Sequence, residues 1–163
     1  MHDELVIEGC VILQPDEFNN NWKNIIVDKI KSKYLGCTEK YGYIIDILQI
    51  SNEIDTKLDC NTTMITCNII IKVSRIKPEK HKVLSCKVQM IFNNGIFAQI
   101  DDKIKILVPN DTLENGNYIF QKTINKYYNN NTKQTISKDD TIKVMITDLQ
   151  YSKNKYNCIG IMV

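Results

Sequence analysis

Alanine and arginine occur once each in this 163-residue chain, as Ala98 and Arg75, against 18 Asn, 27 Ile and 20 Lys. No rule of folding demands so lopsided a usage. It reads as the codon signature of an AT-rich genome, which concerns source rather than function. Long apolar runs are missing too: nothing approaches the roughly 18 residues that a membrane-spanning helix needs. The first ten residues, MHDELVIEGC, lack the basic-then-apolar layout of a secretory signal. The expectation is a soluble, intracellular protein with no membrane partner.

Close cysteine pairs are absent. Cys10, Cys37, Cys60, Cys67, Cys86 and Cys158 include no CxxC, and His2 and His81 are the sole imidazoles. A tetrahedral zinc site draws its ligands in close pairs, so none is expected, and the thiols read as small core hydrophobes. Phosphate-loop, dinucleotide, zinc-protease and nucleophile-elbow motifs are all missing. Asp101-Asp102 and Asp139-Asp140 stand where turns are expected, a poor setting for a shared metal or an acid–base pair. His81 lies in the linker PEKHK with no nucleophile near it. No catalytic residue, metal or cofactor is assigned, and the chain reads as non-catalytic.

A formal net charge of +2 excludes a histone-like polycation, but the charge is uneven. Residues 1–78 carry nine bases and eleven acids; residues 79–163 carry twelve bases and eight acids. The basic half is also the strand-rich half, which favours phosphate contact there, although a solvated Lys-rich surface would look the same.

What the chain does contain is pattern. Residues 5–14 form an apolar, β-branched run stopped by Pro15-Asp16. Asn19-Asn20-Asn21 offers N-cap side chains for a helix over 22–34, where Trp22, Ile25, Ile26 and Ile30 share one face. Trp22 is expected to anchor the core, Lys31 and Lys33 suit the C-terminal end of the helix dipole, and Gly36 closes it. Residues 37–50 read as one long strand with a bulge at Gly42, 51–61 as an acidic loop, 62–75 as a further strand, and 77–80 as a linker. The first domain, 1–78, is therefore an α+β unit of β-α-β-β order.

The second domain, 79–163, reads as an all-β five-stranded barrel of the OB type. Residues 87–109 supply two strands joined by Asn93-Asn94-Gly95 and then a third; 141–150 and 156–162 supply the last pair. Alternation puts Val88, Met90 and Phe92 on the inner face of the first strand, Ile96, Ala98 and Ile100 on the second, Ile104, Ile106 and Val108 on the third, and Ile142, Val144 and Ile146 on the fourth. The outer face then gathers Lys87, Gln89, Phe97, Gln99, Lys103, Lys105 and Lys143. Cations for a phosphate backbone and a ring for a base are what a single-strand binding groove needs. Packing of Phe97 against the first domain is the competing reading of that ring. Residues 111–138 form a polar insertion, expected to be a mobile loop with one short structured piece.

The order of these elements carries a resemblance. The stretch Gly36-Cys37-Thr38-Glu39-Lys40-Tyr41-Gly42-Tyr43-Ile44-Ile45 follows an amphipathic helix, and a later strand runs into Pro78. The barrel then carries NGIFAQI (94–100) and Leu107-Val108-Pro109. The chain resembles the stalk subunit of multi-subunit DNA-directed RNA polymerases, the family of the seventh subunit of eukaryotic polymerase II and the archaeal E-prime subunit. The resemblance implies a tip domain wedged on the polymerase core near the clamp, through Lys40, Tyr41, Gly42, Asp55, Lys57 and Leu58. It implies a barrel near the RNA exit path, touching nascent single-stranded RNA. The implied partners are the largest and second-largest polymerase subunits, with a second stalk subunit as a further candidate.

Three departures from the family stand out. Residues 54–59 replace a Gly- and Pro-rich segment, and Lys80-His81-Lys82-Val83 lacks a glycine. Asn94 and Leu107 occupy positions where related barrels carry rings. This divergence, with the codon bias, fits a large DNA virus, which would place the protein in the virion and host cytoplasm; a cellular version would be nuclear. The alternative function is a free-standing single-stranded RNA-binding module of initiation-factor-like or ribosome-associated type.

Overall fold

The computed structural model describes residues 2–163, which divide into two compact units, His2–Ile76 and Lys77–Val163. In the first unit, β1 (Asp3–Leu13), a single 3-10 turn (Pro15–Glu17), α1 (Trp22–Tyr34), β2 (Gly36–Thr38), β3 (Gly42–Leu58) and β4 (Ile65–Ile76) follow in order. The strands form one antiparallel sheet ordered β1-β4-β3-β2. Period-two alternation turns Ile7, Val11, Leu13, Cys67, Ile69, Ile71 and Val73 to one face, where Ile26, Ile30 and Tyr34 of α1 cover them. Trp22 and Ile25 are half-buried against the rim of that core, and Phe18 stacks on Trp22 with centroids 5.2 Å apart.

Beta strand β1 lies at the edge of the sheet, where bare main chain invites unwanted pairing. Helix α1 covers part of that edge with its own side chains. Lys33 Nζ donates to the Cys10 carbonyl (2.6 Å), Lys29 Nζ donates to the Ile12 carbonyl (2.8 Å), and the Cys10 N–H donates to Tyr34 Oη (2.8 Å). Lys29 also pairs with Glu17 at 2.9 Å.

Several expectations for this unit need correction. Residues 37–50 are not one strand: Glu39, Lys40 and Tyr41 form a turn between β2 and β3, and Gly42 takes φ 87° as it opens β3. Residues 51–58 are strand rather than loop. Beta strand β3 absorbs Ser51, Asn52 and Glu53 as a bulge between Ile50 and Ile54, then pairs with β4 again, and the turn falls at Asp59–Met64. Polar sequence there reflects solvent on both faces of the strand end, where residues 55–58 are all exposed, not the absence of a ladder. Asn21 is the N-cap of α1 but makes no capping bond with its side chain; Asn24 Nδ2 donates to it instead.

The second unit is a closed barrel ordered β11-β12-β7-β6-β5, with an inserted subdomain. Its strands are β5 (Val83–Phe92), β6 (Gly95–Ile100), β7 (Ile104–Pro109), β11 (Thr141–Ser152) and β12 (Lys155–Met162). Between β7 and β11 stand α2 (Asn110–Asn115), β8 (Tyr118–Gln121), β9 (Lys126–Asn129) and β10 (Thr135–Ile136). All barrel pairings are antiparallel except β7 with β12. Ile96, Ala98, Ile104, Ile106, Val108, Ile142, Val144 and Ile146 fill the interior as alternation predicts. Gly95 is fixed by geometry: at φ +148°, a Cβ would strike the Val108 carbonyl oxygen.

Alternation fails on β5. A bulge at Gln89 shifts the register between Val88 and Met90, so Ile91 turns inward while Met90 (52% exposed) and Phe92 (47%) turn outward. The insertion is also more ordered than expected. Tyr127 is wholly buried, and its hydroxyl donates to the Phe92 carbonyl (2.7 Å) and lies 3.1 Å from Asn110 Oδ1. Asn129, the one buried polar residue among those described, donates through Nδ2 to the Gly116 carbonyl. Its Oδ1 accepts from the Asn131 and Thr132 N–H groups. Both ends of that amide are therefore satisfied, which is what burial requires.

Candidate nucleic-acid interface

Barrel register decides which side chains meet on the outer surface. Phe97 on β6 sits opposite Leu107 on β7, Leu107 beside Ile159 on β12, and Ile159 opposite Asp148 on β11. Two residues along, Gln99 faces Lys105, Lys105 lies beside Asn157, and Asn157 faces Gln150. Neighbouring strands lie roughly 4.8 Å apart and same-face residues along a strand roughly 6.8 Å apart. The result is a lattice of two rows, one apolar and ending in a carboxylate, the other polar. Between the rows lies an open depression of about 270 Å³, lined by Phe97, Lys105, Leu107, Asp148, Gln150, Asn157 and Ile159 among others.

Chemistry on this patch is mixed in a useful way. Leu107 is 41% and Ile159 43% exposed, and Phe97 is half-buried beside them, so a flat apolar floor faces solvent. An aromatic face stacks on any base, and aliphatic neighbours extend the surface it covers. Lys105 supplies a cation, and no ion pair engages it among the described residues. Asp148 Oδ1 lies 3.3 Å from Lys80 Nζ. The hydrogen bond from Lys80, ahead of that from the Leu149 N–H, holds the Asp148 carboxyl below its ordinary range, so it is ionised at neutral pH.

The seven residues assigned to RNA by sequence do not form one cluster. Phe97 and Lys105 share the depression just described. Lys87, Gln89 and Gln99 line a second hollow of about 330 Å³, where Lys87 Nζ is paired with Asp139 at 3.6 Å. Gln99 links the two places, facing Lys87 on one side and Lys105 on the other. Lys143 lines a third hollow beside Tyr118 and Gln134 of the insertion. Lys103 is not on a strand at all: it follows Asp101-Asp102 in the β6–β7 turn, and its N–H donates to the Ile100 carbonyl.

Asp148, Gln150, Asn157 and Ile159 escaped the sequence reading, and Leu107 entered it only as a position where related barrels carry a ring. Inward Tyr156 and Cys158 would have put Asn157 and Ile159 outside, but nothing local reveals that β12 runs parallel to β7.

The residues assigned to core docking also separate. Lys40 and Tyr41 lie in the β2–β3 turn and Gly42 opens β3; Asp55, Lys57 and Leu58 lie at its far end. The paired stretch of β4 between these ends runs from Ile76 to Ile65, roughly 35 Å by strand rise. Lys40 Nζ stands 5.1 Å from the centre of the Tyr41 ring, and that ring is partly buried against the core of its own unit. Arg75 Nη1 donates to the Tyr41 carbonyl (3.0 Å) and the Tyr41 N–H donates to Thr38 Oγ1 (3.1 Å), so the turn is tied down. Leu58 is 59% exposed, an apolar side chain open to solvent in its own unit.

No cluster of three or more metal-ligating side chains occurs among the described residues, and no described helix is long and apolar enough to cross a membrane. The closed five-stranded barrel is OB-like, and its residues 77–157 match the family described as S1 RNA binding domain. Similarity extends well beyond the barrel. Over 165 residues, 98% of this chain and 94% of the other, the chain is 25% identical to "DNA-directed RNA polymerase II subunit rpb7" of Dictyostelium discoideum. Among solved structures, the apo form of Mycoplasma genitalium RNase R matches 50% of this chain and 13% of its own length, with a TM-score of 0.40 and 18% identity.

Proposed function

We propose that this protein is a non-catalytic stalk subunit of a DNA-directed RNA polymerase. In this reading it docks on the polymerase core near the clamp through its first unit and guides nascent RNA with its barrel. The observation that carries the reading is the reach of the similarity to the rpb7 subunit, which spans both units and not the barrel alone. A free-standing RNA-binding barrel would share only the S1 segment. The outer-face row of partly buried Phe97 and exposed Leu107 and Ile159, with Lys105 beside it, supports RNA contact. Exposed Leu58, with Asp55 and Lys57, supports docking at the far end of β3; Lys40, Tyr41 and Gly42 form a second candidate contact. The composition supports an AT-rich source, and the divergence a large DNA virus.

Affinity purification of the tagged chain from its native source tests this. The expected result is stoichiometric recovery of the largest and second-largest polymerase subunits. Recovery as a free monomer, or with ribosomes, would overturn it in favour of the free-standing module.

A further inference from the structure

We propose that the depression on β6, β7, β12 and β11 reads the amino edge of a nucleobase through Asp148, so that cytosine is held more tightly than uracil. The inference rests on the reading of this face as an RNA contact and goes beyond it by naming the base chemistry that it selects.

The backbone is shaped to put that carboxylate there. Ile146 points into the barrel, and a strictly alternating strand would bury Asp148 two residues later. Beta strand β11 instead carries a bulge at Thr147, and the Thr147 hydroxyl donates to the Ile159 carbonyl at 3.0 Å, pinning the extra residue. The bulge turns Asp148 outward, opposite Ile159 and at the end of the apolar row. Its side chain is 67% exposed and lines the depression directly.

A base lying on Leu107 and Ile159 against the Phe97 ring would present its edge to Asp148 and to the Gln150–Asn157 pair. An ionised carboxylate only accepts hydrogen bonds. Cytosine offers it the N4 amino group, whereas uracil presents the O4 carbonyl at the same place, and carbonyl against carboxylate is repulsive. Gln150 and Asn157 carry both donors and acceptors, so they hold either base and do not discriminate. The contacts from Lys80 and the Leu149 N–H leave acceptor capacity on the carboxylate, because its two oxygens together offer about four lone-pair sites. Lys80 also offsets the negative charge that would otherwise repel the RNA backbone.

Cytosine and uracil have the same ring size, so comparing them isolates the edge from the stack. The test measures binding of full-length protein to oligo(rC) and oligo(rU) of equal length, at one salt concentration and neutral pH. The wild type is expected to favour oligo(rC) on the order of fivefold. Asp148→Asn should bring the two within about twofold, since an amide can both accept and donate. Lys80→Gln, which removes the ion pair alone, should keep the cytosine preference. Equal binding of both oligonucleotides by the wild type would overturn the inference and leave the RNA-contact reading standing. A preference that survives Asp148→Asn would also overturn it, by assigning selectivity elsewhere. Binding to neither oligonucleotide would remove the RNA-contact reading and this inference with it.

Discussion

Single residues carry separable duties in the barrel. Phe97 lies on the outer face but is largely buried there, so Phe97→Ala is expected to cost about 1–2 kcal/mol of stability and leave the barrel folded. A lost stacking platform is worth about 1–3 kcal/mol per base, so single-strand affinity should fall on the order of tenfold. Lys105→Ala should act differently, flattening the log–log salt dependence by about 0.7, the share of one neutralised phosphate. Fluorescence anisotropy across a salt series checks both, and an unchanged affinity in Phe97→Ala would contradict the site. The buried thiols give a pH prediction. Burial pushes Cys86 and Cys158 up to about 12 from an ordinary value of 9.0. In the unfolded chain these thiols ionise near the ordinary value, while in the fold they stay protonated. Their contribution to stability is therefore complete below about pH 9 and declines as pH rises towards 12. The denaturant midpoint should fall between about pH 8 and about pH 10.5, and fall less in the Cys86→Ala, Cys158→Ala double variant. A thiol reagent should meanwhile label exposed Cys60 first.

At the scale of elements, the insertion between β7 and β11 depends on a buried anchor. Tyr127→Phe keeps the ring but removes the hydroxyl that reaches the Phe92 carbonyl and Asn110. The expected cost is about 1–2 kcal/mol in a denaturation experiment, with RNA affinity unchanged, because the anchor lies away from the outer face. A variant as stable as the wild type would show that the insertion holds without this bond. The same element shows where sequence reading ran out. Its polar composition reads as loop, yet one buried tyrosine and one buried asparagine bonded through both ends of its amide organise it, and neither signal is periodic. Helix α1 was legible because 3.6-residue periodicity is local, and β6 and β7 because strict alternation is local. Beta strands β3, β5 and β11 were not fully legible, because each carries a bulge that reverses or shifts the alternation. Part of the site went unread for the same reason. Phe97 and Lys105 were visible on regular strands, whereas Asp148 reaches the surface through a bulge and Ile159 joins the row through a parallel, long-range pairing.

The whole molecule joins two units of opposite character. One is acidic on balance, the other basic, and the outward chemistry of each differs accordingly. The first unit offers tied-down turns and an exposed leucine; the second offers an aromatic and aliphatic floor beside Lys105. Similarity to an RNA polymerase II subunit runs along nearly the full chain and so covers both units, which supports the proposed reading of a polymerase subunit with an RNA-contacting barrel. The most direct measurement is photocrosslinking of nascent RNA in the purified, transcribing polymerase that contains this chain, followed by peptide mapping. The account predicts label on the β6–β7 and β11–β12 segments, centred on Phe97, Leu107 and Ile159, and its disappearance in Phe97→Ala polymerase of unchanged composition. Label confined to His2–Ile76, or absent from this chain in an active complex, would contradict it.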